Sequence, residues 1–244
     1  MTQERENFYR HSNLVTDNTK DGFADLLEFY LQQQGVTLKD FISQHQHAIY
    51  HFCYNRFACC QCSPNNNPNT KGSKVLYPPQ LDLLLDTSAG KLPGHNPNNP
   101  SAPHCCCPVN PGVTLEKLDV HLLRFLLVNF TNIIPPGSPE RKAVEDLTKI
   151  RNQSLAHASK GCMTDGQFNK SVAVIKQSLL VLAQVSGKQT STLEKFNKVC
   201  QQPISWPLFN QLQESLLQEA RLLELVERFD TKPKRVCMKK IPMQ

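Results

Sequence analysis

The feature that most limits how this chain can fold is the stretch from Ala58 to Gly112, where helical periodicity stops and proline, asparagine and cysteine take over. Cys59-Cys60-Gln61-Cys62 runs into Ser-Pro-Asn-Asn-Asn-Pro-Asn-Thr-Lys-Gly, and a second breaker run, Gly94 to Ala102, leads to His104-Cys105-Cys106-Cys107-Pro108. Such composition disfavours helix and strand alike. A polar insertion of this length is improbable as a free loop in a compact domain, so something has to hold its ends together. Val75 to Leu85 is its one apolar island, read as a short helix through Leu81, Leu84 and Leu85.

Seven of the ten cysteines lie in the two bursts, Cys53 to Cys62 and Cys105 to Cys107. Reducing compartments discourage structural disulfides, so metal explains the bursts better; a secreted chain would revive the disulfide reading. Cys59-x-x-Cys62 and His104-x-x-Cys107 form two knuckle-like pairs, and zinc takes four thiolate or imidazole donors in a tetrahedron. The expected ligands of a structural Zn2+ are therefore Cys59, Cys62, His104 and Cys107, with His51, Cys53, Cys60, His95, Cys105 and Cys106 as further candidates and room for a second ion. Adjacent cysteines are not expected all to point the same way. Unliganded, partly buried thiols are the alternative. No His-Glu-x-x-His or His-x-Glu deaminase pattern accompanies the cysteines, which argues against a catalytic zinc.

On both sides of the insertion the sequence reads as helix. Phe23, Leu26, Leu27, Phe29, Tyr30 and Leu31 recur at helical spacing, with Asp21 or Thr19 as cap, Gly35 as stop, and a leader whose Phe8, Tyr9 and Leu14 could extend it. A second helix begins after Thr37, with Leu38, Phe41, Ile42, His45, Ile49 and Phe52 on its buried face. Thr114 is expected to cap a third, running to Phe130. Ser138-Pro139 is a strong start signal for a fourth, ended by Gly161. Thr164 and Gln167 form a capping box for a fifth that reaches about Ser186. A polar linker, Gly187 to Gln202, then precedes a last helix over roughly Pro207 to Phe229. The expected fold is an all-α helical bundle over 1–186 that includes the cysteine-rich insertion at 53–112, a linker and C-terminal helix over 187–229 packing on it, and a basic tail at 230–244.

The net charge of +6 is a property of that tail, where Lys232, Lys234, Arg235, Lys239 and Lys240 stand without an acid among them. With these five set aside, cations and carboxylates nearly balance. Such a tail can attract RNA, DNA or acidic lipid, or be a solvated terminus. A mean hydropathy of -0.41, no apolar run of transmembrane length and no secretory pattern at the start lead to the expectation of a cytoplasmic or nuclear protein with no membrane association.

Chemistry is suggested at one place, Ile150-Arg151-Asn152-Gln153-Ser154-Leu155-Ala156-His157. Histidine can exchange a proton near neutrality, and arginine can steady a phosphate as charge develops on it. Asn152 could orient either partner. On an ideal helix Arg151 and His157 project ~120° apart, so a productive pair needs a frayed helix end or a second copy of the motif across a dimer. The alternative pairs Arg151 with Glu145 or Asp146 and lets His157 cap a carbonyl near Gly161.

Arg151-Asn152-Gln153-Ser154-Leu155-Ala156-His157, on a late helix followed by a Thr-capped one, resembles the HEPN superfamily signature. With Asn7-Phe8-Tyr9-Arg10, the Asp82 to Asp86 region and Gly166-Gln167-Phe168, it is similar to the branch found in DAZ-interacting zinc-finger ubiquitin ligases and many uncharacterised animal proteins. The resemblance covers about residues 5 to 186. It implies a helical bundle that dimerises with two Arg-His motifs facing a shared cleft. Many such domains are metal-independent RNases, in which Arg151, Asn152 and His157 would be catalytic; others are inactive scaffolds. The cysteine-rich insertion departs from a minimal bundle of this kind. The expected function is a zinc-stabilised homodimeric interaction module in RNA-associated or defence signalling, or alternatively an endoribonuclease acting on single-stranded RNA.

Overall fold

The computed structural model describes residues 1–55, 59–62, 75–96 and 103–231, with the side chains of 156, 157, 219 and 222–231 outside that description. It is mostly helical, and its one β feature among the described residues is an isolated bridge between Leu85 and Val109. The basic tail lies outside the described residues.

The N-terminal region is one long helical run. Helix α1 (Gln3–Asn13) passes through a π turn (Leu14–Asn18) directly into α2 (Thr19–Gln34). The expected start at Asp21 or Thr19 does not occur. The π turn carries Leu14 and Val15, each fully buried. Gly35 ends α2 with φ 64, and α3 (Leu38–Cys53) begins at once from Thr37. Thr37 and Asp40 form a capping box, which satisfies two of the amides a helix start leaves unpaired.

Beyond the insertion, α4 is short (Pro78–Leu84). Thr114 opens only a 3-10 turn (Leu115–Lys117), and the cap of α5 (Val120–Phe130) is Asp119, whose carboxylate accepts the Leu122 amide at 2.6 Å. The break has a cause in packing: an extended Leu118 is buried completely before the helix starts. Helix α6 (Pro139–His157) starts from Ser138 as expected but stops short of Gly161. Helix α7 (Asp165–Ser186) carries the Thr164–Gln167 capping box and ends at Gly187, φ 71.

The polar stretch after Gly187 is a helix rather than a linker, α8 (Gln189–Gln201), held by one buried side chain, Phe196. Lys188 adds ion pairs to Asp25 (2.6 Å) and Glu28 (2.8 Å) of α2. Helix α9 (Trp206–Thr231) closes the order.

Helix α2 packs along α5 and α7, and α6 packs on α7. Phe23, Leu26, Leu27, Leu122, Phe125, Leu126, Val144, Leu147, Ile175, Leu179 and Leu182 form the centre of the main core. Each such side chain contributes about 1.5–3 kcal/mol by leaving water. A second, smaller core joins Phe8 and Tyr9 of α1 to Leu155 of α6 and to Phe209 and Leu216 of α9. This places the end of α6 between the first and last helices. Gln213 of α9 donates to the Ala158 carbonyl at 3.2 Å, and so satisfies one of the acceptors that a helix C-terminus leaves open.

Gly161 turns the chain there at φ 58, and a Cβ on it would sit 2.6 Å from Gln213 Nε2. Gly35 has the same left-handed backbone with open space around it. Urea unfolding should therefore show Gly35→Ala losing about 1 kcal/mol, the cost of left-handed backbone alone. Gly161→Ala should lose more, because Gln213 must also move. Equal losses would show that the contact with α9 is not needed.

Candidate functional site

The residues of the two cysteine bursts come together above one end of α3. His47 and His51 stand one helical turn apart on that helix, and both reach the turn formed by Cys59 to Cys62. The Cys62 amide donates to the Cys59 carbonyl at 3.1 Å, which folds Cys59-x-x-Cys62 into a tight knuckle. The four donors lie close: Cys59 Sγ to Cys62 Sγ 3.6 Å, His47 Nε2 to His51 Nε2 3.1 Å, and Cys62 Sγ to His51 Nε2 3.2 Å and to His47 Nε2 3.5 Å.

A second group is built from Cys60, His95, Cys105 and Cys106. Cys105 Sγ lies 3.7 Å from both Cys60 Sγ and Cys106 Sγ, and Cys60 Sγ is 3.3 Å from His95 Nδ1. Backbone N–H groups point at the sulfurs, Asn96 to Cys60 Sγ at 3.3 Å and Cys60 to Cys105 Sγ at 3.4 Å. Within each group all donor atoms fall within 4.8 Å of one another. Both groups can hold a metal ion. A zinc tetrahedron has edges of ~3.8 Å between sulfurs, ~3.6 Å from sulfur to nitrogen and ~3.3 Å between nitrogens. The measured separations follow that pattern.

Cys59 and Cys60 face different groups. Cys105 and Cys106 do not: their sulfurs converge. The reason is the backbone of Cys106, the one non-glycine residue with positive φ (52) among the described residues. A left-handed residue swings its side chain back beside its neighbour's, at a local cost of order 1–3 kcal/mol that surrounding structure has to hold in place. Cys107 then turns the other way and is buried in the main core.

The structure thus brings together two of the four ligands expected from spacing, Cys59 and Cys62, and does not bring His104 or Cys107 to them. His104 is buried and both its ring nitrogens are engaged, Nδ1 with the Tyr54 hydroxyl at 2.9 Å and Nε2 with Asp82 Oδ1 at 2.8 Å. It ties the end of α3 to α4. Burial first, then Cys53 and Asp82, pushes the Tyr54 phenol up to about 12, so the hydroxyl keeps its proton. Cys107 Sγ lies 3.1 Å from Lys91 Nζ and 3.2 Å from the Pro103 carbonyl. Cys53 is a buried thiol beside the core rather than a member of either group. His47 was not among the expected ligands. Its signal was the His47-x-x-x-His51 spacing, which puts two imidazoles on one helix face.

Burial favours the neutral form of two of the thiols. Burial pushes Cys59 up to about 11, and burial together with Cys105 and Cys60 pushes Cys106 up to about 12. Burial and then His47 hold the His51 imidazole below its ordinary range, so it is neutral and able to coordinate. A bound divalent ion would reverse the thiol shifts by stabilising thiolates.

The Arg-to-His helix has a different character. Arg151 is only 5% exposed; burial works against its charge and the Asp119 carboxylate opposes that effect. Its Nη1 is 3.5 Å from Oδ1 of the exposed Asn152. His157 is the last residue of α6, and its side chain lies outside the described residues. Ser154, within the motif, was not singled out by sequence. It is buried and bonds His11 Nδ1 at 2.8 Å, while His11 Nε2 meets Ser171 Oγ at 2.7 Å. This chain of three polar side chains joins α6, α1 and α7. Beside it runs a groove of about 730 Å³ bordered by Lys149, Gln153, Lys160 and Lys170.

No protein-family model matches the chain, and no curated protein and no solved structure matches it. No helix among the described residues is long and apolar enough to cross a membrane.

Burial lowers the His11 imidazole to about 4. The unfolded chain therefore takes up a proton near its ordinary value of ~6.5 while the folded chain resists. Stability from this group is complete above that pH and is lost as pH falls toward 4, a total of about 3 kcal/mol at ~1.4 kcal/mol per unit. Urea unfolding between pH 7 and pH 4 should show this decline, and His11→Gln should flatten it. An unchanged acid limb in the variant would remove His11 as its source.

Proposed function

We propose that the chain is an interaction module: a HEPN-like helical bundle that works as a homodimer and whose cysteine-rich insertion is closed by structural zinc. The observation that carries this reading is the completeness of the two Cys/His groups, each offering four protein donors. Structural zinc is enclosed by four such ligands, whereas catalytic zinc keeps a position open for water or substrate. Zinc fits better than a hard cation such as magnesium because every donor is sulfur or imidazole nitrogen.

The setting of the motif supports a scaffold in the same way. Arg151 is packed inside the bundle, and Ser154 is occupied in holding α1, α6 and α7 together. The HEPN resemblance of Arg151, Asn152 and His157 supports a role in RNA-associated or defence signalling. Dimerisation comes from the same resemblance, with the two motifs across a shared cleft.

One observation favours a second reading, a metal-independent endoribonuclease using Arg151, Asn152 and His157 in the dimer. The groove along α6 carries three lysines, Lys149, Lys160 and Lys170, against two carboxylates, Glu4 and Asp146, and the excess of cationic side chains beside such a motif would attract the phosphates of single-stranded RNA.

Light scattering should give twice the chain mass. In EDTA, the interaction module leaves single-stranded RNA uncut, by wild type and His157→Ala alike. Cleavage by the wild type that His157→Ala abolishes, with the dimer intact, would establish the nuclease instead. A monomer at all concentrations would sink the homodimer.

A further inference from the structure

We propose that the chain binds two zinc ions in interlaced sites that load in order. The first is Cys2His2, from His47, His51, Cys59 and Cys62; the second is Cys3His, from Cys60, His95, Cys105 and Cys106. The proposal rests on the zinc reading above and adds the stoichiometry, the ligand sets and the dependence of one site on the other.

The order follows from where the donors stand. Two ligands of the first site sit on a rigid helix, and the other two belong to one knuckle that is already closed by a backbone hydrogen bond. Only 15 residues separate His47 from Cys62. The second site has no helical donor and closes much longer stretches, 35 residues from Cys60 to His95 and 45 from Cys60 to Cys105. Longer closures cost more chain entropy. Moreover, Cys60 lies inside the knuckle, between Cys59 and Cys62, so an ion at the first site fixes the backbone that presents Cys60 to the second.

Three further observations mark the second site as built rather than a chance gathering of thiols. Cys106 adopts left-handed backbone, which aims its sulfur beside that of Cys105. The loop carrying His95 is anchored to the same turn, with the Leu92 amide donating to the Cys106 carbonyl at 2.7 Å. The Asn96 and Cys60 amides point at sulfurs that would carry charge once metal is bound. Such outer contacts orient and tune metal ligands. Two thiolates cancel the charge of the first ion, while three leave the second site with one negative charge, which these amides help to stabilise.

The test is native mass spectrometry of the full chain refolded with zinc in metal-controlled buffer, followed by titration with EDTA. Two ions per wild-type chain are expected, one in Cys105→Ser/Cys106→Ser, and in His47→Ala/His51→Ala a second-site affinity lowered about tenfold or more, the range seen when metal-site support is removed. One ion in the wild type overturns the two-site assignment and leaves structural zinc standing; none overturns structural zinc as well. Undiminished binding of one ion by His47→Ala/His51→Ala overturns the order of loading. Cobalt(II) titration of the wild type decides the order without any variant. The first equivalent should show charge-transfer absorption from two thiolates and the second should add that of three, and the reverse sequence overturns it.

Discussion

Helix α3 carries two obligations, and the arrangement of the insertion depends on its meeting both. Phe41, Ile42 and Ile49 fix it in the main core, which sets its rotation and leaves no freedom to turn about its axis. That same rotation presents His47 and His51 together on a different part of the surface. The knuckle of Cys59 to Cys62 has to come to these imidazoles, because they cannot come to it. Where the cysteine-rich chain docks is therefore decided by apolar packing on another face of the same helix. Tyr50 extends the connection: it is buried against Cys59 and Cys105, at the seam between the helix and both cysteine bursts.

Signals that act over three or four residues were legible in the sequence. The helix start at Thr37, the capping box at Thr164, the Ser138 cap with its following proline, the stop at Gly35 and the helix end at Ser186 all appear as their chemistry requires. What failed was decided by distant packing. The π turn at Leu14–Asn18 carries no local sequence signal, and Thr114 yields to Asp119 because Leu118 goes into the core first. Helix α8 has a single buried side chain, too few to show a period, and is held by contacts to helices far earlier in the sequence.

The candidate metal ligands show the same division. Spacing grouped Cys59 and Cys62, which are local to one another, with His104 and Cys107, whereas the structure places His47 and His51 beside them. His104 looked like a knuckle member from its distance to Cys107, yet its ring is committed to Tyr54 and Asp82. Cys106 could not be placed without knowing that its backbone is left-handed. In the Arg-to-His motif, Ser154 went unnoticed for a related reason. A serine in a helix is ordinary until a buried imidazole is found beside it.

The bridge between Leu85 and Val109 bears on how far any disturbance of the cysteine turns can spread. On either side of it the Asp86 amide donates to the Pro108 carbonyl and the Asn110 amide to the Leu84 carbonyl, each at 2.9 Å. Leu84 and Leu85 are themselves completely or almost completely buried. The loop between these residues is thus fastened at its base by main-chain bonds rooted in the core, independently of any sulfur. Val75 and Leu76 are fastened likewise, to the Phe52 carbonyl at the end of α3. Opening of the cysteine turns breaks their contacts with α3 but leaves these main-chain fastenings in place. Hydrogen exchange in such an arrangement divides into fast cysteine turns and a slow helical base, with boundaries at residues 52 and 75 as well as at 85 and 109.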